Sequence, residues 1–210
     1  MLESLPTNSR RERRIAARRA QILDAAASVF SQKGYQNATT KEIAEAADLS
    51  EGTLYNYFTS KRDLLIGVAR AYADEVIADL DNIQADGYEV LLAQFMANRF
   101  RRGRERRLFM VFLYESRWNE DVRKYYVEET MHQIIERSEN HMRDLIEMGI
   151  LRNVNPTIAA RTMSATIMGF AALFELGASV EHASPEFLGA QVTDILWNGL
   201  RTPRENGREE

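Results

Sequence analysis

The chain of 210 residues has no cysteine and only three histidines and four prolines. Without cysteine it can form no disulfide, no thiolate zinc site and no cysteine nucleophile. No run approaches eighteen uninterrupted apolar residues, because Glu175 interrupts the most apolar region, residues 163–178, so we expect no membrane span. The first twenty residues hold several arginines in place of an apolar leader, which is not typical of a secretory signal. These absences predict a cytoplasmic protein.

Charge is distributed unevenly along the chain. The formal net charge is −4, yet residues 1–66 carry an excess of Lys and Arg, whereas residues 67–210 carry an excess of Asp and Glu. The positive charge is concentrated at Arg10, Arg11, Arg13, Arg14, Arg18 and Arg19. This asymmetry indicates an end that faces phosphate groups and a body that does not touch DNA, although a solvated basic tail would have the same composition.

The first eighty residues contain the signals of four helices. Apolar residues recur at helical spacing before Gly34, which predicts a first helix from about Arg11 to Lys33. Capping residues predict the starts of the next two short helices and of a long fourth helix, at Thr39, Ser50 and Ser60.

Beyond Asp86 and Gly87 the pattern stays helical, with no strand alternation and no internal repeat. Gly149 has the position of a left-handed residue that closes a helix. The N-cap residues that begin the later helices are Asn119, Asn155 and Ser184, the last two followed by proline. We therefore predict an all-α protein of about nine helices, with a three-helix domain in residues 1–66 and a larger helical domain in residues 67–210.

Residues 39–65, TTKEIAEAADLSEGTLYNYFTSKRDLL, form the most specific pattern in the chain. The segment resembles the TetR family, whose signature combines a Thr-Thr helix start, an Ile-Ala pair and Ser-x-Gly-Thr-Leu-Tyr-x-Tyr-Phe-x-Ser-Lys. The resemblance covers about residues 11–66, and the remainder resembles the family only in length, helicity and order. One departure is Asp48, where the family usually has Gly, because Asp adopts left-handed dihedral angles less readily.

The resemblance implies a helix-turn-helix domain whose recognition helix enters the major groove of DNA. Phosphate contacts are then expected from Thr39, Thr40, Ser50, Tyr57 and Lys61. The residues expected to face the groove are Lys41, Glu51, Gly52, Thr53, Tyr55 and Asn56. Among them, Asn56 can pair with adenine, Thr53 can touch a thymine methyl and Glu51 can accept from cytosine. Taken singly, each could instead be a core aromatic, a helix cap or a solvated side chain.

The interior of the larger domain is rich in aromatic and methionine side chains, a pattern more typical of plain core than of a pocket. The family resemblance nevertheless implies a small apolar or amphipathic effector between these helices, without a cofactor. The expected apolar contacts are Phe109, Phe112, Leu113, Trp118, Tyr125, Met131, Ile135, Met163, Ile167, Phe170 and Phe174. Arg99, Arg117 and His132 are expected to meet a polar or anionic end. The basic run of residues 99–107 is expected to be an exposed connection.

The last two helices are expected to form a homodimer interface. The helix that starts at Pro156 is apolar nearly all round, so it must be buried on two sides. Its small residues allow close approach: Ala160, Ser164, Gly169, Ala171, Ala172 and Gly177. The last helix is expected to contribute Leu188, Val192, Ile195, Leu196 and Leu200.

Together these features predict a transcriptional regulator rather than an enzyme. It would be a repressor that binds a palindromic operator as a homodimer and leaves it when the effector binds, with no metal and no membrane contact. One alternative is an architectural or partner-controlled DNA-binding protein without an effector. Another is a helical-bundle metalloenzyme, but Glu129 and His132 form one Glu-x-x-His pair, and a di-iron site needs two.

Overall fold

The computed structural model describes residues 10–82 and 87–200, and the described part of the chain is all-α, as predicted. Residues 1–9 and 201–210, which belong to the two predicted domains, and the expected break at Asp86 lie outside it. The helices are α1 Arg10–Asn37, α2 Thr40–Ala46, α3 Glu51–Tyr55, α4 Lys61–Asp81, α5 Tyr88–Arg101, α6 Gly103–Trp118, α7 Glu120–Arg123, a π-helical segment Lys124–Met131, α8 His132–Glu147, α9 Pro156–Glu175 and α10 Pro185–Leu200.

Local side-chain chemistry sets most helix ends. Gly34, with φ 73° and ψ 168°, breaks the regular turn of α1 immediately after Lys33, as predicted. The Thr39 hydroxyl accepts from the Glu42 N–H, and the Glu42 carboxylate accepts from the Thr39 N–H, which completes the predicted capping box. The other predicted N-caps also accept a backbone hydrogen bond from three residues later: Ser50, Ser60, Asn119, Asn155 and Ser184.

The helical region that begins after Asn119 ends as predicted but differs in its middle. Gly149 is left-handed, with φ 73°, and the Ile150 N–H donates to the Leu145 carbonyl at 3.0 Å in a Schellman closure. Upstream, the π-helical segment interrupts the regular turns, and the Thr130 hydroxyl donates to the Tyr125 carbonyl five residues earlier. A segment of this kind places α8 in a different rotational register from α7.

Two groups of buried side chains hold the helices together, and the first crosses the predicted domain boundary. It joins Phe30 of α1, Leu54 of α3 and Leu65 of α4 to Phe112 of α6 and Tyr126 of the π-helical segment. The second group includes Val76, Leu92, Met96, Leu145, Met163 and Leu188. Because α4 contributes to both groups, the three-helix domain is anchored on the larger domain through shared core.

α10 packs closely against α5 at Gly189. A Cβ at this position would lie 2.6 Å from the Ala93 carbonyl oxygen, so the two helices can approach this closely only with glycine here. The same packing buries Leu188 and Val192 within the chain. Those two residues were expected in a homodimer interface, and that expectation is wrong because α5 already covers them.

α9 leaves much of its apolar surface exposed. Its length and hydropathy would suffice to cross a membrane, and only 22% of its most apolar window is buried. The expectation of no membrane span was based on uninterrupted apolar runs, and α9 weakens it. The exposed residues recur at helical spacing along one face, at Ile158, Ala165, Gly169, Leu173 and Leu176. We call this face the α9 stripe.

Candidate nucleic-acid interface and internal cavity

The turn between α2 and α3 fixes the angle between these two helices. Asp48 is left-handed, with φ 53°, and thus adopts the conformation that the sequence pattern required at this position. The Gln21 side-chain amide donates to the Ala47 carbonyl at 2.9 Å and ties the turn to α1. Leu49 packs against the surrounding core. The departure from glycine therefore leaves the turn intact.

The recognition helix, α3, has one buried and one exposed face. Ser50 caps its start, and its hydroxyl lies 2.8 Å from the Thr53 hydroxyl. Leu54 is fully buried, whereas Gly52, Tyr55 and Asn56 are exposed on the outer side. Since the inward side chain already supplies the packing of this short helix, the outward residues are free to contact another molecule.

A hydrogen-bonded group joins α2 to the recognition helix. The Thr40 hydroxyl donates to the Glu51 carboxylate and lies 3.2 Å from the Tyr55 hydroxyl. Lys41 stands beside this group and is mostly exposed, with its Nζ 4.0 Å from a Glu45 carboxylate oxygen. The expected contact of Glu51 with cytosine would compete with the hydrogen bond from Thr40. In the free protein that hydrogen bond holds the Glu51 carboxylate in place.

The remaining predicted phosphate contacts have different surroundings. Thr39 is exposed, but its hydroxyl serves as the acceptor of the capping box. Tyr57 is half-buried, and its carbonyl accepts from Arg19 at 2.6 Å, while the Arg19 guanidinium lies over the Phe58 ring. At the start of α1, a further set of arginine side chains is exposed: Arg10, Arg11, Arg13 and Arg14.

Lys61 differs most from its expected role. Its Nζ donates to the carbonyls of Tyr35 and Ala38, each at 2.8 Å, and to that of Gln36 at 3.3 Å. The same ammonium lies 4.5 Å from the centre of the Tyr35 ring. An ammonium has three donors, and all three are used by the chain itself. The phosphate contact expected of Lys61 is therefore corrected to an internal one that holds the segment after α1.

A cavity of about 200 Å³ lies in the larger domain between α4, α5, α6, the π-helical segment, α8 and α9. Five of the expected effector residues line it: Arg99, Phe109, Met131, Met163 and Ile167. The lining is mainly apolar, with several polar groups among it. A concave apolar site with a few polar groups is the usual form of a small-molecule pocket.

Nine residues expected at the effector do not line this cavity. Phe112 is fully buried in the first core group, and Phe170 and Phe174 pack against Phe100. The others face solvent wholly or in part elsewhere on the larger domain: Leu113, Arg117, Trp118, Tyr125, His132 and Ile135. Their placement is corrected because apolar periodicity shows which residues lie on a face but not which faces enclose a space.

The family model for "Bacterial regulatory proteins, tetR family" matches residues 22–68, which include α2, α3 and their caps. Residues 22–68 therefore carry the TetR-family sequence pattern. The HTH-type transcriptional repressor KstR2 of Rhodococcus jostii is 32% identical over 74 residues, 35% of this chain and 36% of that protein. The regulator RutR of Escherichia coli is 36% identical over 83 residues, 40% of this chain and 39% of that protein. These matches span less than half of either relative.

The likeness to solved structures extends over nearly the whole chain. A TetR-family transcriptional regulator from Mesorhizobium loti superposes with a TM-score of 0.73 at 18% identity, covering 90% of this chain and 99% of the other. A regulator from Saccharomonospora viridis in complex with choline has the same TM-score at 21% identity, covering 90% and 100%. At such identities the likeness shows the fold, which agrees with the predicted helix-turn-helix and larger helical domain.

The basic run of residues 99–107 is partly buried, which corrects the expectation of an exposed connection. Arg99 is only 6% exposed and is paired with Asp79 and with Glu105, whose Oε2 lies 3.3 Å from Arg99 Nη1. Arg106 donates to Glu175 at 3.0 Å and covers the Phe174 ring. These ion pairs join α4, α5, α6 and α9, so the arginines hold the larger domain together.

Burial shifts the pKa of several groups in and around the cavity. It raises the pKa of the Glu105 carboxyl, although the neighbouring Arg99 opposes this shift. It lowers the pKa of the His141 imidazole and raises that of the Tyr126 hydroxyl well above its ordinary value. At neutral pH both His141 and Tyr126 are therefore uncharged hydrogen-bonding groups.

Several cavity residues were missed from the sequence. Tyr72 lies on α4, Tyr88 begins α5, and His141 stacks on Tyr88 with ring centres 5.3 Å apart. Tyr126 enters the cavity from the π-helical segment. A signal existed for Tyr72 and Tyr88, since both stand at apolar positions of predicted helices, but no sequence signal marked the π-helical turn.

Proposed function

We propose that this TetR-family chain is a sequence-specific DNA-binding repressor that binds a palindromic operator as a homodimer. A small apolar or amphipathic molecule in the cavity would release it. The observation that carries the proposal is the course of α4, whose first turn packs under the helix-turn-helix and whose last turns line the cavity through Tyr72, Val76 and Leu80.

The exposed surface of α2 and α3 supports DNA binding. Tyr55 and Asn56 project from a short helix whose position is fixed by caps and core, which suits base contacts in the major groove. The arginines at the start of α1 add positive charge for phosphates. KstR2 of Rhodococcus jostii, which is similar to this chain over 74 residues, is a transcriptional repressor.

The α9 stripe supports a homodimer. Gly169 lies in the middle of this exposed face, where a Cβ would meet nothing within 4 Å among the described residues. Glycine inside a helix costs about 1 kcal/mol relative to alanine, a cost that close approach by a second helix can offset. On α10, Phe187 and Ile195 are also exposed. The pair of helices thus offers an apolar surface for the same surface of a second copy.

The contacts between the domains support release by a ligand. The Gln36 amide donates to both oxygens of the Glu115 carboxylate at 3.0 Å, and Arg62 is paired with Asp121. The first link joins the helix-turn-helix to α6, which contributes Phe109 to the cavity, and the second joins it to α7, which leads into the π-helical segment. A ligand that shifts these helices would change the separation of two recognition helices, and a few ångströms suffice to break their registry with two half-sites.

Solved proteins of the same fold support a small-molecule ligand in general, without naming this one. The regulator from Saccharomonospora viridis was solved with choline, and FadR from Bacillus subtilis was solved with stearoyl-CoA. Those ligands differ greatly in charge and size. The ligand of this chain has to be inferred from its own cavity.

Selection of bound duplexes from a random pool tests the proposal. The expected product is a palindrome whose half-site centres lie one or more helical turns apart, about 34–36 Å per turn. Asn56→Ala and Tyr55→Ala should each relax preference at particular base pairs by about 1–3 kcal/mol, while the exposed control Glu89→Ala should not. Recovery of no preferred sequence, or a base preference unchanged in both variants, would refute the assignment.

A regulator without an effector remains the competing proposal for the larger domain. It predicts that a diverse library of small molecules leaves the melting temperature unchanged, whereas a ligand of the folded state raises it. A metalloenzyme has less support. In the described ranges no group of three His, Cys, Asp or Glu side chains could hold a metal, and Glu129 lies 3.8 Å from Arg70.

A further inference from the structure

We propose that the cavity recognises an electrically neutral molecule through a carbonyl or hydroxyl oxygen, and that it discriminates against anions. This inference rests on the proposed role of the cavity as an effector site. The observation behind it is a set of buried donors without partners, placed in a cavity whose arginines are already paired with carboxylates.

The unpaired donors belong to two buried side chains that line the cavity. Tyr126 is 2% exposed, and its hydroxyl has no hydrogen-bond partner in the described part of the chain. Arg99 is similarly buried, and its Nε–H has no partner there either. Buried polar groups are nearly always satisfied in folded proteins, so these two donors indicate a molecule that accepts hydrogen bonds.

The two donors open onto one cavity, which Tyr72 also lines. Tyr72 interacts electrostatically with Arg99, and Tyr126 in turn interacts with Tyr72. An oxygen with lone pairs, as in a ketone, ester or alcohol, can accept from either donor.

The guanidinium of Arg99 cannot serve as a free cation for an anionic ligand. Asp79 and Glu105 are both paired with it, and Arg102 lies between the same carboxylates and Glu75. The carboxylates in this group outnumber the arginines. An anionic ligand placed here would gain one attraction and meet several repulsions in a poorly hydrated site.

The remaining charged groups of the lining also offer no free positive charge. Arg137 is paired with Asp81, and Asp144 adds a further carboxylate to the lining. His141 has a buried Nε2 without a partner among the described residues, and burial lowers its pKa, so the ring is neutral at neutral pH.

A set of three probes of equal chain length tests this inference by isothermal calorimetry on the full-length protein. Octanol, octane and octanoate differ only in the group at one end. We expect octanol to bind about fivefold to tenfold more tightly than octane, as one or two buried hydrogen bonds would provide, and octanoate to bind more weakly than octanol. Tyr126→Phe should reduce the advantage of octanol over octane without lowering the melting temperature, because the hydroxyl has no partner to lose.

Tyr114→Phe is the matched control, since Tyr114 is exposed on α6 and is not part of the cavity lining. It should leave all three affinities unchanged. Octanoate binding as tightly as octanol would overturn the inference, and so would an unchanged octanol advantage in Tyr126→Phe. The ranking in the unaltered protein decides the question even if that variant fails to fold. If none of the three binds, the proposed effector site itself fails.

Discussion

Two lysines of the DNA-binding domain, Lys41 and Lys61, have different roles. Lys41 is exposed on α2, whereas the Lys61 ammonium holds three backbone carbonyls. Lys41 was expected to face the groove, where its exposed ammonium can also neutralise phosphate charge, so we predict that Lys41→Ala flattens the dependence of log affinity on log salt by up to about 0.9, the value for one phosphate contact. Lys61→Met should leave that slope unchanged.

The second effect of Lys61→Met should be on stability. Loss of charge-assisted hydrogen bonds at a half-buried site should lower the free energy of unfolding by about 1–2 kcal/mol, below the full value for buried groups because solvent screens part of it. Urea denaturation and operator titrations at two salt concentrations measure both quantities. A flatter slope with undiminished stability would show that Lys61 leaves its carbonyls and contacts DNA.

His141 should make stability depend on pH. Burial lowers its pKa in the folded protein, while the unfolded chain has the ordinary value of about 6.5. Below about pH 6.5 the unfolded state therefore takes up a proton that the folded state does not, so the free energy of unfolding falls as the solution is acidified. We predict a weaker fall in His141→Gln, and an unaltered fall in the control His132→Gln, whose side chain is exposed. Identical curves for wild type and His141→Gln between about pH 7.5 and 5 would contradict this.

Helix boundaries were largely predictable from the sequence, whereas the way the helices enclose a space was not. Gly34 interrupts α1 and Gly149 closes α8 because both adopt a positive φ, and N-cap side chains begin six helices by local hydrogen bonds. The π-helical segment was missed because apolar periodicity over two turns does not distinguish four-residue from five-residue spacing. The residues predicted to contact DNA are contiguous in the sequence, whereas the cavity residues come from six elements.

The α9 stripe should be the centre of the homodimer interface. We predict that Leu173→Arg raises the dissociation constant of the dimer at least tenfold, about 1.4 kcal/mol, because a guanidinium would be buried against the partner's apolar surface. Val127→Arg is a suitable control, since Val127 has nearly the same exposure, 43% against 41%, but lies on the π-helical segment. Sedimentation equilibrium at micromolar concentration measures the effect.

The DNA affinity of the same variants provides an independent check. If two recognition helices must engage together, Leu173→Arg should weaken binding to the full palindrome while leaving the affinity for a single half-site intact. Dimerisation unchanged in Leu173→Arg would place the interface elsewhere, and the α9 stripe would then need another occupant.

Across the whole molecule, the two domains are connected by core and by ion pairs. The long helix α4 was foreseen from the capping residue at its start, but the links between distant residues were not, since pairs such as Asp24 with Arg104 are separated by α2, α3, α4 and α5. Sequence periodicity carries no information on which charged side chains meet across a tertiary contact. These links determine whether a displacement of helices at the cavity is transmitted to the helix-turn-helix.

The last prediction concerns that coupling. In the double variant Gln36→Ala with Arg62→Ala, the link to the buried Glu115 and the link to Asp121 are both lost. Operator affinity without ligand and octanol affinity without DNA should both stay near wild type, because neither residue touches the recognition surface or the cavity lining. The factor by which octanol weakens operator binding should fall, by about fivefold from a total coupling on the order of 5- to 150-fold.

Operator titrations at increasing octanol concentration measure this factor, and octanol titrations with and without operator must return the same value, because coupling between two binding sites is reciprocal. Glu139→Gln is the control, since Glu139 pairs with Arg143 and Arg161 inside the larger domain and joins no part of the helix-turn-helix. Its coupling factor should equal that of the wild type. An undiminished factor in the double variant would mean that the ligand acts through the shared core of α4 and not through the polar links. A factor of one in the wild type would instead remove the ligand from the regulation of DNA binding.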